Sequence, residues 1–386
     1  MKLRYWIGLG VLAVAACGCG SDDSEDSIQV STYNGGLAVG FVDYATQRSK
    51  GTADAVGALK NDILCVQEFW GADDVARLKA ATANSLPHTI FPAPQQEFIS
   101  GVAPCTTSDL ANLTACVERS CACTPNDLLA NCTLGNCLPQ FFALPEKCSG
   151  CLQANVGLVA AFGLDAVIDM CTATETGTYA YDGSFGTGLL TKYDILEQQH
   201  VVMNSHTNRR GLIYAKLRTD VGDVHTFCTH LTAVFSDIPF PDEGSWEAEQ
   251  AAQIDQLIAF VNQKAGNDGK VLVLGDMNTG PAGKNYSAEV AANYVKFAAG
   301  GFTDVYIKDG NEQCTFCSTN PLVGEGTPSV VIDHVFTRNL TGSASRVLEG
   351  TVNVSVTTPA CGGTPEKTET VTTAYSDHYG LQATLK

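Results

Sequence analysis

Six short apolar stretches of this chain end, or break, at side chains able to carry protons, hold cations or bind phosphate. Segment 28–33 (IQVSTY) delivers Asn34, and 62–66 (DILCV) delivers Gln67-Glu68. Segment 224–228 runs into Thr229-His230-Leu231, and 271–275 stops at Asp276-Met277-Asn278. Segment 330–337 (VVIDHVFT) carries Asp333 and His334, and Ser376-Asp377-His378 precedes the last apolar stretch, 379–385. Carboxylates and carboxamides are hard oxygen donors for a divalent cation. Imidazoles exchange protons near neutral pH, and positioned donors stabilise charge that develops on phosphoryl oxygens. A Glu at the tip of a buried strand is costly unless it is solvated, paired or holding a cation. One such tip is ordinary turn chemistry; six in one chain call for another explanation.

Tips of this kind act together only if their strands lie side by side with the tips at one edge, where open α/β sheets bind ligands. The spacing supplies such strands. Segment 270–281 (KVLVLGDMNTGP) reads as a buried central strand broken by Gly-Asp and then Gly-Pro. Further strands are expected at 89–91, 186–191 and 195–202, with a hairpin of 211–217 and 224–228 around Val221-Gly222-Asp223. Residues 37–59, 72–85 and 246–264 read as helices. From about 98 to 178 the pattern becomes Cys-rich and helical, with one long helical stretch at 152–170. The strand pattern resumes cleanly afterwards, so this segment reads as an insertion, and its Cys105–Cys171 part is expected to be a lid stapled separately by its own disulfides. No internal repeat is present.

The composition bounds the rest. A hydrophobic fraction of 45% supports a sizeable core, and 23 Lys+Arg against 41 Asp+Glu give a net charge of −18. That argues against a broad polyanion-binding surface, because affinity for a nucleic-acid backbone depends on clustered Lys and Arg. The first residues resemble a bacterial lipoprotein signal: Lys2 and Arg4, an apolar run at 6–16, then Val14-Ala15-Ala16-Cys17. Residues 1–16 are expected to be removed, and Cys17 to be lipidated at the head of an acidic tether, 17–27. The protein is therefore expected to be exported and held at a bacterial membrane, outer membrane or cell surface. Of 16 cysteines, nine lie between Cys105 and Cys171. An oxidising compartment makes disulfides the expected state over zinc, although Cys148-x-x-Cys151 and Cys314-x-x-Cys317 have zinc-like spacing. The pairing is not readable from spacing.

The ordered set Asn34, Gln67-Glu68, Thr229-His230, Gly275-Asp276-Met277-Asn278, Ile332-Asp333-His334 and Ser376-Asp377-His378 resembles the endonuclease/exonuclease/phosphatase superfamily. That group includes pancreatic-type deoxyribonucleases and neutral sphingomyelinases. The resemblance covers about 28–386 apart from the 98–178 insertion. It implies an α/β fold: a four-layer sandwich of two mixed β-sheets flanked by helices, with the Cys-rich helical insertion added. It also implies a divalent metal, magnesium first, with manganese or calcium as alternatives. Carried over, Glu68 is the metal ligand, with Asn34 and Asp377 lending oxygens. His378 is the general base, oriented by Asp333. Asp276 positions the attacking water or leaving oxygen, Asn278 donates to the phosphoryl oxygens, and His230 is a second donor to the phosphate.

Other candidates have plainer readings. His334 adjoins Asp333, so on a strand it faces the other way and is expected to pack rather than react. His88, His200, His206 and His225 sit in no motif and read as surface or structural. Arg209-Arg210 reads equally as a phosphate contact or a solvated turn. The resemblance leaves several activities open. The first is a metal-dependent, sphingomyelinase-like phosphodiesterase on lipid headgroups, to which Arg210-Gly211 before an apolar strand and Thr229-His230 conforms. The others are a secreted nuclease, opposed by the charge, a phosphomonoesterase, or a non-catalytic binding protein of the same fold. A monomer is expected.

Overall fold

The computed structural model describes residues 26–386, apart from 236, 237, 239 and 242. The expected signal, Cys17 and the tether as far as residue 25 lie outside the described residues. The chain opens with β1 (Ile28–Asn34), α1 (Ala45–Gly57), β2 (Ile63–Gln67), α2 (Ala72–Thr82) and β3 (His88–Ile90). Strand β4 (Phe98–Ser100) leads into α3 (Thr107–Ser120), α4 (Leu129–Phe142), α5 (Glu146–Ala154), α6 (Gly157–Phe162) and α7 (Leu164–Thr172). After β5 (Glu175–Gly177) come β6 (Gly188–Thr191), β7 (Asp194–Met203), β8 (Arg210–Thr219), β9 (Gly222–His230), α8 (Trp246–Ala265) and β10 (Lys270–Asp276). The last part holds α9 (Ala291–Ala299), β11 (Thr303–Asp304), α10 (Val305–Lys308), β12 (Asp333–Arg338), β13 (Gly342–Val347), β14 (Thr351–Thr358), β15 (Lys367–Ala374) and β16 (Gly380–Leu385).

Two six-stranded mixed sheets form the centre, in the orders β13-β16-β1-β2-β6-β3 and β11-β12-β10-β9-β8-β7. In each, one parallel pair (β1 with β2, β9 with β10) is flanked by antiparallel neighbours. The alternation of side chains along a strand decides the layering. On β8, Ile213, Ala215 and Leu217 face the other sheet, whereas Leu212 and Tyr214 face α8. On the opposite flank, Tyr33, Leu64 and Val66 pack with Val56 of α1 and Leu78 of α2. The result is the expected four-layer α/β sandwich, helix–sheet–sheet–helix. A disulfide, Cys65–Cys228, joins β2 to β9 through the core between the sheets.

The Cys-rich segment is tied to this body at its neck by the antiparallel pair β4/β5 and has a hydrophobic cluster of its own. Three features differ from the sequence-based expectation. Residues 152–170 do not form one helix: α5, α6 and α7 are separated near Gly157 and at Gly163, whose φ of 81° is left-handed and ends α6. The helix expected over 37–59 is confined to Ala45–Gly57, preceded by loop and turn. The segment is also not stapled by itself. Cys105–Cys148, Cys116–Cys137, Cys121–Cys132 and Cys151–Cys171 close within it, but Cys123 reaches Cys361 beyond β14. Cys148 and Cys151 take different partners and Cys314 pairs with Cys317, so neither CxxC is a zinc site.

Candidate active site

The register of the sheets gathers the polar tips. In the second sheet His230, Asp276 and Asp333 are direct cross-strand neighbours on β9, β10 and β12, forming one row along its edge. In the first sheet Asn34 closes β1 opposite Gln67 on β2, and Glu68 follows at once. Strand β16 runs antiparallel to β1, so Asp377 and His378, just before it, reach the same edge. All eight expected residues therefore lie at one end of the sandwich. Glu68 and Asn278 both take left-handed backbone conformations, with φ of 60° and 49°. Such conformations cost about 1–3 kcal/mol each and persist where the surroundings impose them; here one turns the Glu68 side chain toward Asn34 and the other turns Asn278 toward the loop after β9.

Asp276 is the hub. Its Oδ2 accepts from Asn34 Nδ2 at 2.9 Å and lies 3.4 Å from His230 Nε2 and 3.8 Å from His378 Nε2. Its Oδ1 accepts from the Asn278 amide at 2.9 Å. Asn34 Nδ2 also donates to Glu68 Oε1 at 3.1 Å, while Asn34 Oδ1 is turned away to the Gly36 amide. His378 Nδ1 lies 2.9 Å from Asp333 Oδ2, which fixes the ring and leaves Nε2 toward the cleft. Gly36 (φ 55°) leaves room for Asp377: a Cβ there would stand 2.2 Å from Asp377 Oδ1. The side chain of Asn278 instead donates to the Leu231 carbonyl, locking the loop after β9 to the loop after β10.

The electrostatics are those of crowded buried acids. Burial, with Asp377 nearby, pushes the Glu68 carboxyl up to about 7, and burial with Asp333 opposite pushes Asp276 up to about 6. Burial would lower His378, but Asp333 outweighs it and holds the imidazole well above its usual range. Burial, then Arg210 and His378, hold His230 well below that range, so its ring is neutral. Glu68 Oε2 and Asp333 Oδ1 are buried without a protein partner. An unpartnered carboxylate oxygen among further acids fits a hard divalent cation, whose charge would relieve their repulsion. Asp276, Asp333 and His378 also bring ligand atoms within 4.8 Å of one another. His378 Nδ1 and Asp333 Oδ2 already face each other, so the oxygens that could hold a cation there are Glu68 Oε2 and Asp333 Oδ1.

Several functional positions escaped the sequence reading. Arg48, on α1, is fully buried and donates to the carbonyls of Asp43, Gly36 and Tyr375, bracing the loop after Asn34 against the one before Asp377. On α8, Gln250 Nε2 donates to Thr232 O and Asn278 O, and Gln253 Oε1 accepts from the Thr232 amide. That helix therefore sets both loops carrying site residues. The available signal was a pair of glutamines at 250 and 253, in line with the apolar stripe of Trp246, Ile254, Leu257 and Val261 on an amphipathic helix. The Arg209-Arg210 pair divides. Arg209 donates to Gln95 O and Glu97 Oε1, whereas Arg210 is buried near Glu68 and Asp276 with its Nη1 unpartnered. His334 packs as expected, between Asp304 Oδ2 at 2.7 Å and Thr279 O at 2.8 Å.

The model of the Endonuclease/Exonuclease/phosphatase family matches residues 40–378. The chain belongs to this family. Among solved structures, sphingomyelinase C from Streptomyces griseocarneus is 18% identical and superposes with a TM-score of 0.51 over 93% of this chain and 99% of that one. A beta toxin variant from Staphylococcus aureus with bound magnesium ions is 14% identical, with a TM-score of 0.52 over 92% and 99%. Both share the fold of this family member. No curated protein sequence matches the chain.

Proposed function

We propose that this protein is a divalent-metal-dependent phosphodiester hydrolase, with magnesium as the ion and lipid headgroup diesters as substrates. One observation carries the reading: the His378–Asp333 pair shares a cleft with two buried unsatisfied groups of opposite sign, Glu68 Oε2 and Arg210 Nη1. A carboxylate oxygen lacking a proton donor invites a cation, and a guanidinium lacking an acceptor invites a phosphate oxygen. Glu68 and Asp377 would hold the metal, with Asn34 adding an oxygen if its amide turns. When bound, the ion supplies positive charge beside the phosphoryl group. His378 Nε2 takes the proton of the attacking water while Asp333 holds the opposite ring nitrogen. Neutral His230 and Arg210 face the phosphoryl oxygens, and Asp276, fixed by Asn34 and the Asn278 amide, orients the water or leaving oxygen.

The lipid preference is supported by the −18 net charge and the lipoprotein-like start, which would hold the exported protein at a membrane through Cys17. The fold shared with a sphingomyelinase and with a magnesium-binding toxin agrees. The test compares hydrolysis of bis(p-nitrophenyl) phosphate, choline phosphodiesters and plasmid DNA with and without chelator. Glu68→Gln is expected to lose most turnover, as is the wild type in chelator, with recovery on adding Mg2+. Undiminished hydrolysis in excess chelator would refute metal dependence, and faster nicking of plasmid than of choline diesters would refute the lipid assignment.

A further inference from the structure

A groove of about 880 Å3 lies beside the strand-end cleft, and Trp70 is the wall between them. Trp70 stacks on Tyr181, which also lines the groove, at 4.9 Å between ring centroids. Its ring is also 6.3 Å from that of His230 and 5.9 Å from the Arg210 guanidinium. One side of the groove comes from the chain after β1 (Leu37, Val39), the other from the Cys-rich segment (Leu158, Ala161, Met170), with Phe98 of β4 at the lip.

The walls are fixed to each other. Gln47 donates to Asp127 at 2.7 Å and Asn131 to Asp43 at 2.6 Å, and Cys123–Cys361 ties the segment to the chain just beyond β14. Thr357, Pro359 and Glu366 of that region complete the rim. Among the described residues lining the groove there is no Lys, Arg or His; the charged ones are Asp74, Asp127, Asp182 and Glu366. A neighbouring phosphate of a nucleic acid would meet carboxylates and neutral amides and hydroxyls there but no cation, whereas an apolar chain would meet the aliphatic and aromatic carbon of Leu37, Val39, Trp70, Leu158, Ala161 and Met170.

We propose that this groove is a subsite for the apolar, uncharged arm of the substrate: an alkyl or acyl chain attached to the phosphodiester, seated past Trp70 while the phosphate meets Arg210. The proposal rests on the phosphodiesterase reading and adds that the chain enters the protein, walled by the Cys-rich segment, instead of staying outside the cleft. Each methylene that is buried contributes roughly fourfold to binding. If about half of the added length is buried, an octyl ester gains about 100-fold in kcat/KM over a methyl ester.

The test uses p-nitrophenyl methyl, butyl and octyl phosphates below micellar concentrations, with binding of dioctyl and dimethyl phosphate followed through Trp fluorescence. Rising kcat/KM and tighter binding with chain length are expected. Ala161 is solvent-exposed on α6, so Ala161→Arg should fold; it is expected to abolish the chain-length gain and leave the methyl ester unchanged, while Ala161→Leu retains the gain. A flat series, or a series that Ala161→Arg leaves intact, would overturn the subsite. If no ester is turned over, the hydrolase reading fails instead, and chain-length-dependent binding that Ala161→Arg removes still decides the groove.

Discussion

The Cys65–Cys228 bridge is the disulfide that joins the two sheets among the described residues, three residues before Glu68 and two before His230. Replacing both cysteines by alanine therefore tests how the two halves of the site are held together. The bridge spans a sequence separation of 163, but Cys105–Cys148 and Cys151–Cys171 short-circuit 43 and 20 of these inside it. About 100 residues of free loop remain, for which the chain-entropy relation gives about 4.7 kcal/mol. That is a third or more of a typical domain's stability. The urea-unfolding midpoint is expected to fall accordingly, and the slope m to rise because the unfolded chain becomes more expanded. Activity on bis(p-nitrophenyl) phosphate, assayed well below the melting temperature, should drop about 10-fold or more, since misplacement by about 1 Å can cost 10²-fold. A stability loss under about 1 kcal/mol with unchanged m would refute the loop argument. Unchanged activity would show that packing alone sets the distance between the sheets.

Further outcomes concern His378, Asp333 and Arg48. His378→Ala should lower kcat by about 10²–10⁴-fold. Because Asp333 holds the His378 pKa up and only the neutral ring accepts a proton, activity should rise with pH as His378 deprotonates. Asp333→Asn should then lower kcat and move that limb to lower pH; an unmoved limb, where chemistry limits turnover, contradicts the pairing. Arg48→Met removes a buried guanidinium from the carbonyls of Gly35, Gly36, Asp43 and Tyr375 and from the neighbourhood of Asp377, and should cost about 3–5 kcal/mol in urea unfolding. Arg48→Lys, which keeps the charge but not the fork, should cost less; equal costs would show that the fork geometry is unimportant.

The strand cores and their polar tips are legible because short, nearly continuous apolar runs and the abrupt polar breaks that end them are local properties of the chain. Every tip from Asn34 to His378 was located that way, and the order of the tips carried the family resemblance. Register is not local. That His230, Asp276 and Asp333 stand in one row is decided by how β9, β10 and β12 pair, and that Glu68 joins them by how the sheets stack. The residues that brace the site were hidden for the same reason. Arg48 looks like a surface helix residue until the loops of Gly36 and Tyr375 close over it, and Gln250 and Gln253 look like helix polarity until two loops need donors and acceptors. Arg209 and Arg210, identical in type and adjacent, part company because neighbouring residues on an extended chain face opposite ways: one meets Glu97, the other the cleft. Cysteine content announced a stapled region, but the pairing of Cys123 with Cys361, across 238 residues, exists only because the folded chain brings them together.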